Sequence, residues 1–532
     1  MKKGEKSFQL HKRQKDMLFY LSLVALALLA FLFVGAGEPV LYDDSGSYMR
    51  MERYEGVMPL YPLFLLCNQW LFGLDNYLWF VIIEQASLAA VCVILFVREI
   101  KNRFSLWYSE GYLLFFLTLF PFTTELPQAM MTQAILTEGI AYSLFYLLIL
   151  VFLRAVWERS FRWNVVSFVL VFLLAMLRSQ LQMLFGVCGI VFFYLLWQKK
   201  GSGRKRIIRI FAGLSGCVLI ALAGIGISAR TLVVYHSLIR DNIKINMAIM
   251  KIQDPAYYQE FQVGEDGADR TAGEMADAVQ KRQEKNRALG PTSMSQYTSL
   301  IFSRGMYEAD AEDAQLFEDE TVRELYQAVY EEADREGLRY VYGQKGLWMW
   351  RDIVGGIGRV GKTGLSAGDG YYREKYPELY ESESFNEIWN RNMQTIGITL
   401  LKRHFGRFLY HSLMLLPQAF ICTVFFQIAP VYLLCHFVTL FLYLSAFGLM
   451  VWGYADRRTT DRAAEFMALV LGMNVVMVVL ISLVFFGQQR YLVYNFGIFY
   501  IAYYVLLRQL WIIRIRPKIS GKLLRGRGAQ RG

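Results

Sequence analysis

The chain reads MLFYLSLVALALLAFLFV from Met17 to Val34 and, three residues later, EPVLYDDSGSYMRMERYEGVMPLYP from Glu38 to Pro62. The first run is apolar throughout and close to the roughly 20 residues that cross about 30 Å of hydrocarbon. The second carries the adjacent carboxylates Asp43 and Asp44 and ends on Pro59-Leu-Tyr-Pro62, which opens more apolar sequence. A charged loop between two apolar segments is costly unless it lies at the membrane surface or lines a cavity. This alternation recurs along the chain. Of 532 residues, 55% are hydrophobic and 19% charged, against about 45–50% and about 25% in soluble domains. The expected fold class is an all-α polytopic membrane protein.

The net charge of +11 is unevenly placed. Residues 231–402 carry 20 Lys/Arg and 28 Asp/Glu, so the rest of the chain is strongly basic. Those basic residues sit in short segments between apolar runs, where they act as topology determinants. They form no patch or groove of the kind that reads nucleic acid, so no nucleic-acid partner is expected. The tail 1–16 has six Lys/Arg and is assigned to the cytoplasm, with Met17–Val34 as a retained signal anchor. Alternating the basic loops gives about ten spans. Residues 17–229 form an N-terminal membrane module whose first outer loop is 38–62, with a short interfacial helix at 58–74. Residues 230–402 form a large extracytoplasmic, mainly helical region, in which 315–336 reads as an amphipathic helix. Residues 403–427 read as an interfacial helix, 428–511 as the last spans, and 512–532 as a second cytoplasmic tail. A bacterial plasma membrane location, both termini inside, is the expected setting.

This topology brings Asp43, Asp44, Glu125, Glu138, Arg178, Arg403, His404 and Arg490 to the outer face. Ionisable residues at that depth are candidates for function, although headgroup contact would explain any single one. The six cysteines, Cys67, Cys92, Cys188, Cys217, Cys422 and Cys435, show no C-x-x-C pair and no ligand spacing. The histidines are scattered, and no metal site is visible, though Asp43 and Asp44 could share a divalent cation. Gly356-Ile-Gly-Arg-Val-Gly361-Lys362-Thr363 satisfies the P-loop pattern. The Gly-Leu-Ser-Ala-Gly-Asp-Gly that follows is expected to start no good helix, and the segment is expected outside the cell. A solvated loop is the reading.

Order says more than any single residue. Asp44-Ser-Gly-Ser-Tyr48 in the first outer loop matches D-x-x-x-Y, and Pro59-Leu-Tyr-Pro62 follows it. Leu136-Thr-Glu138 heads one span, Leu177-Arg178 closes the next, and Gln489-Arg-Tyr491 precedes the last. This set resembles the GT-C class of membrane glycosyltransferases, and within it the protein O-mannosyltransferases and lipid A aminoarabinose transferases (glycosyltransferase family 39-like). The resemblance covers residues 15–200 well and 403–511 loosely.

The resemblance implies transfer of a sugar from a polyprenyl-phosphate donor to an extracytoplasmic acceptor. Asp44 would be the catalytic base, with Asp43 as the neighbour able to substitute for it. A carboxylate can take the acceptor hydroxyl proton, and arginine suits the leaving phosphate. Arg490 and Arg178 are the expected phosphate-binding residues, followed by Lys402 and Arg403. Glu138 either orients substrate hydroxyls or pairs with an arginine. Tyr48, Tyr491 and His404 complete the expected substrate contacts. No cofactor is evident. The second reading is a polymerase or ligase acting on lipid-linked polysaccharide, in which the arginines would dominate. A flippase or transporter ranks last, because charges sit at span ends and no internal repeat is visible.

Overall fold

The computed structural model describes residues 2–34, 38–42, 44–49, 51, 57–123, 130–198, 204–240, 242–262, 270–271, 273–275, 277, 296–338, 349–382, 384–425, 432–455, 461–484 and 489–512. Among these the chain is helical, and no strand forms beyond an isolated parallel bridge between Val40 and Ala134. Seven helices are long and apolar enough to cross a membrane: Arg13–Leu32, Tyr77–Arg103, Thr137–Trp157, Ser179–Trp197, Ile207–Ile239, Leu433–Ala455 and Arg462–Leu483. The protein is therefore a multi-pass α-helical membrane protein.

Three other segments read as spans form shorter helices: Tyr108–Thr118, Phe161–Leu177 and Phe496–Leu510, of 11, 17 and 15 residues. Each is cut by local chemistry. Pro121 cannot donate the next helical hydrogen bond, and the first helix gives way to the short Phe120–Thr123 turn. Arg178 is extended (φ −144°, ψ 122°) and ends the second. The third starts only after the 3₁₀ turn Val493–Asn495.

We label the helices that build the site α1 (Lys2–Leu28), α2 (Ser45–Met49), α3 (Leu60–Phe72), α4 (Tyr77–Arg103), α5 (Thr137–Trp157) and α6 (Phe161–Leu177). Helix α5 is the most enclosed of the spanning helices. At one end of the bundle polar pairs tie neighbouring helices together. Arg154 Nη2 lies 3.0 Å from Glu99, Tyr108 Oη donates to Asp16 at 2.8 Å, and Trp157 Nε1 donates to the Arg462 carbonyl at 3.1 Å. Arg508 also pairs with Glu110, which accepts from Tyr504 Oη at 2.6 Å. The opposite end carries residues 38–42 and 44–49, the start of α5 and the end of α6.

The polar region from 296 onward folds into its own helical unit around a separate apolar core containing Phe302, Tyr326, Trp389 and Met393. Its helices are α7 (Gln296–Tyr307), α8 (Glu320–Arg335), α9 (Met349–Lys375) and α10 (Phe385–Arg403). Helix α8 is the amphipathic helix expected at 315–336, started by Asp319, whose carboxylate accepts from the Thr321 and Val322 amides. The Gly-rich segment departs from expectation. Gly356 to Gly370 lies inside the continuous helix α9, not in a loop. Its glycines lie where a side chain would collide: a Cβ on Gly364 would sit 2.6 Å from Phe302, and one on Gly368 2.6 Å from Trp389. Close packing of helix on helix supplies what propensity withholds. No phosphate-cradling loop exists there.

Gly305 of α7 and Gly397 of α10 meet backbone to backbone, with 2.7 Å from a Cβ on Gly305 to the Gly397 carbonyl oxygen. Backbone cannot turn aside as a flexible side chain can. Gly397→Val is expected to cost about 1–3 kcal/mol through overpacking, read as a lower melting midpoint and faster proteolysis within 296–403.

Helix α11 (Phe405–Cys422) occupies the segment expected as an interfacial helix, 403–427. Its first half docks on the polar unit, where His411 Nδ1 lies 2.7 Å from Glu308, and Ala419 and Cys422 join the core of the bundle. The six cysteines are free thiols.

Candidate functional site

The site is built by a loop stitched onto the head of α5. Val40 donates to the Gln133 carbonyl at 3.0 Å and accepts from the Ile135 amide at 3.0 Å. Ser45 Oγ donates to the Ile135 carbonyl at 2.9 Å and accepts from the Tyr42 amide at 2.8 Å. These bonds hold the Asp44 loop against residues 133–135. Behind them lies Gln85 of α4, fully buried, whose amide nitrogen donates to the Thr132 and Ala134 carbonyls at 2.9 and 3.1 Å. Its carbonyl oxygen accepts from Tyr61 Oη at 3.1 Å. Gly139 leaves room for this amide, since a Cβ there would lie 2.7 Å from Gln85 Cδ. Nothing in the sequence pattern singled out Gln85 as a keystone. A lone Gln eight residues into an apolar helix carries no motif.

On this scaffold Glu138 and Arg178 form a buried ion pair. Thr137 Oγ1 donates to Glu138 Oε2 at 3.0 Å. The Arg178 guanidinium carbon lies 5.2 Å from the centre of the Tyr491 ring, a cation–π distance. Tyr48 stands over Tyr61, ring centres 5.4 Å apart and edge to face. Burial pushes the Tyr48 phenol above its ordinary range, with the Arg178 cation opposing and the Glu138 and Asp44 carboxylates reinforcing. Tyr494, beside Arg178, is wedged between Tyr142 at 4.9 Å and Phe145 at 5.1 Å.

Five of the residues singled out in the sequence therefore meet: Asp44, Tyr48, Glu138, Arg178 and Tyr491. They come from four segments separated by up to several hundred residues. The structure favours the pairing role for Glu138. Arg178, expected at a donor phosphate, is already bound to that carboxylate. Asp43 and Glu125 lie outside the described residues, as does the Arg490 side chain; its backbone belongs to the turn Gln489–Leu492.

The chain matches no protein-family model, no curated protein and no solved structure.

Lys402, Arg403 and His404 are not brought to this group. Lys402 and Arg403 end α10 with exposed side chains. His404, expected at a lipid phosphate, is buried with Nε2 2.6 Å from Asp313. It belongs to a row of pairs between α11 and residues 308–313: His404 with Asp313, Arg407 with Asp310 at 2.7 Å, and His411 with Glu308. Asp310, Asp313 and His404 offer ligand atoms within 4.8 Å of one another. They already satisfy one another and Arg407, so the geometry is that of a docking interface. Arg304 is buried beside it, bonded to Ser412 and stacked 4.7 Å from the Phe408 ring. Burial pushes its guanidinium down to about 10, and Glu308 opposes that shift. This interface escaped sequence reading because its acids and bases lie about 100 residues apart.

Proposed function

We propose that the protein is a membrane glycosyltransferase that moves a sugar from a polyprenyl-phosphate donor to an extracytoplasmic acceptor, with inversion. The observation that carries this reading is the convergence of the Asp44 loop, Glu138, Arg178 and Tyr491 at one end of the bundle. In the proposed setting that end faces outward from a bacterial plasma membrane, the chain crosses about ten times, and both termini are cytoplasmic.

The chemistry follows from those groups. Asp44 takes the proton of the acceptor hydroxyl as its oxygen bonds to the anomeric carbon. The bond from that carbon to the phosphate oxygen breaks, and polyprenyl phosphate leaves with the electron pair. A guanidinium has five N–H donors, so Arg178 fixed by Glu138 keeps donors for the phosphate, and Arg490 would share the charge. Tyr48 and Tyr491 shape the walls. Preorganised donors of this kind stabilise developing charge without reorganising.

The test is lipid extraction from the purified protein, analysed by mass spectrometry, beside a transfer assay with the lipid it retains. Asp44→Asn is expected to keep the lipid and lower the transfer rate by about 10²–10⁴-fold. Full transfer by a folded Asp44→Asn protein removes Asp44 from the mechanism. Recovery of a lipid-linked oligosaccharide in place of a single-sugar donor would favour a polymerase or ligase.

A further inference from the structure

Asn495 stands at the head of the helix Phe496–Leu510 without capping it. An asparagine at that position ordinarily accepts from the amides of its own helix, yet no such bond forms. Its fully buried side chain reaches instead to the neighbouring span Asp461–Val484, where Nδ2 donates to Asn474 Oδ1 at 2.8 Å. Asn474 is equally buried, and its own Nδ2 donates to Tyr443 Oη of the helix Tyr432–Ala455 at 2.8 Å. Tyr443 Oη lies 2.6 Å from Thr423 Oγ1, and Thr423 donates to the Phe420 carbonyl at 2.7 Å. A hydroxyl has one hydrogen, and that of Thr423 is on Phe420, so Tyr443 donates to Thr423. The bonds run without a gap from the head of the last helix, through two neighbouring helices, to the end of α11.

The first link of this chain lies at the candidate site. Asn495 closes the 3₁₀ turn Val493–Asn495. Tyr494, inside the turn, interacts with the Arg178 guanidinium and the Gln180 amide. The Tyr491 ring, four residues before Asn495, lies 5.2 Å from the same guanidinium. A 3₁₀ turn is a weak fixture by itself, because its hydrogen bonds are poorly aligned. The bond to Asn474 gives it a fixed point in the bundle. At the far end Tyr500 Oη donates to the Val424 carbonyl at 2.6 Å, joining the last helix to the same segment a second time. Neutral bonds between spans also serve to hold helices together. Adhesion needs no particular place, whereas this chain begins at the turn that carries both tyrosines beside Arg178.

We infer that Asn474 is a positioning residue for the candidate site. Through Asn495 it fixes the 493–495 turn, and with it the Tyr491 and Tyr494 rings that aim Arg178. Through Tyr443 and Thr423 it ties that turn to α11, the helix on which the polar unit docks. The inference rests on the glycosyl-transfer reading for what Arg178 would bind, and on geometry alone for the positioning.

The full-length protein in lipid nanodiscs, carrying a single meta-fluorotyrosine at position 491, would be followed by fluorine NMR and titrated with undecaprenyl phosphate. Asn474→Leu is expected to shift or split the resonance and to weaken undecaprenyl phosphate about tenfold. Asn474→Leu combined with Asn495→Leu replaces both partners by apolar groups, which is close to neutral for stability. The double variant should therefore keep the melting midpoint of the wild type, while its resonance and affinity stay altered. It carries the test even where the single variant does not fold. A double variant with the resonance and the affinity of the wild type would show the bond to be adhesive only and overturn the inference. An altered resonance in variants of a protein whose wild type binds no undecaprenyl phosphate upholds the positioning and removes the donor reading.

Discussion

Replacing Arg178 by Met is expected to destabilise the protein by about 3–5 kcal/mol, because it strands the Glu138 carboxylate inside the bundle. Both partners are almost fully enclosed, with side-chain exposures of 11% and 2%. A carboxylate held there accepts from the Thr137 hydroxyl but loses its counter-charge away from water. Glu138→Leu should cost a similar amount by leaving the guanidinium alone. The double variant separates a structural role from a functional one. Removing both charges and filling the space with apolar side chains is often neutral for a buried pair, so Glu138→Leu with Arg178→Met should recover most of the melting midpoint of the wild type. Under the proposed function it should not recover transfer, because the phosphate loses its cation. A double variant that is both stable and fully active would show the pair to be scaffold only.

Glu308→Leu is expected to cost about 3–5 kcal/mol at the junction of the polar unit with α11. Both carboxylate oxygens bond to His411 Nδ1, at 2.7 and 2.8 Å. Arg304 lies buried nearby, and the Glu308 carboxylate compensates its charge. Loss of that carboxylate leaves one cation and one imidazole enclosed without an anion. Glu308→Gln retains a hydrogen-bonding group without the charge, so it should fall between the two. Melting curves rank the variants. Proteolysis should show the cuts moving into residues 296–425 as the unit undocks. An undiminished midpoint for Glu308→Leu would mean that the apolar core around Trp389 and Met393 holds the junction without the polar row.

The membrane-spanning architecture was legible because it depends on local composition. An apolar run near 20 residues bounded by basic loops has few alternatives in water or in lipid. The amphipathic helix at 320–335 and the Pro-led helix at 60–72 were readable for the same reason: a cap, a period and a stop all lie within one short window. Where local rules were the only guide, they misled. Six glycines in fifteen residues predicted a loop from Gly356 to Gly370. The helix forms because Phe302, Ser303, Tyr307 and Trp389 press against the places where side chains would be.

The candidate site was half legible. Asp44, Tyr48, Glu138, Arg178 and Tyr491 could be picked out as polar residues at the ends of apolar runs. Sequence alone could not say that Glu138 holds Arg178, since headgroups and substrate were equally open to either residue. It grouped His404 with Arg403 by adjacency, yet a helix end separates them and His404 turns to Asp313. It passed over Gln85 because an amide within an apolar helix looks the same whether it is filler or keystone. Local hydrophobicity determined that this chain carries several helices apolar enough for a bilayer. Which polar groups meet there is decided only by tertiary packing, because burial turns each unpaired charge or hydroxyl into a cost that distant residues must satisfy.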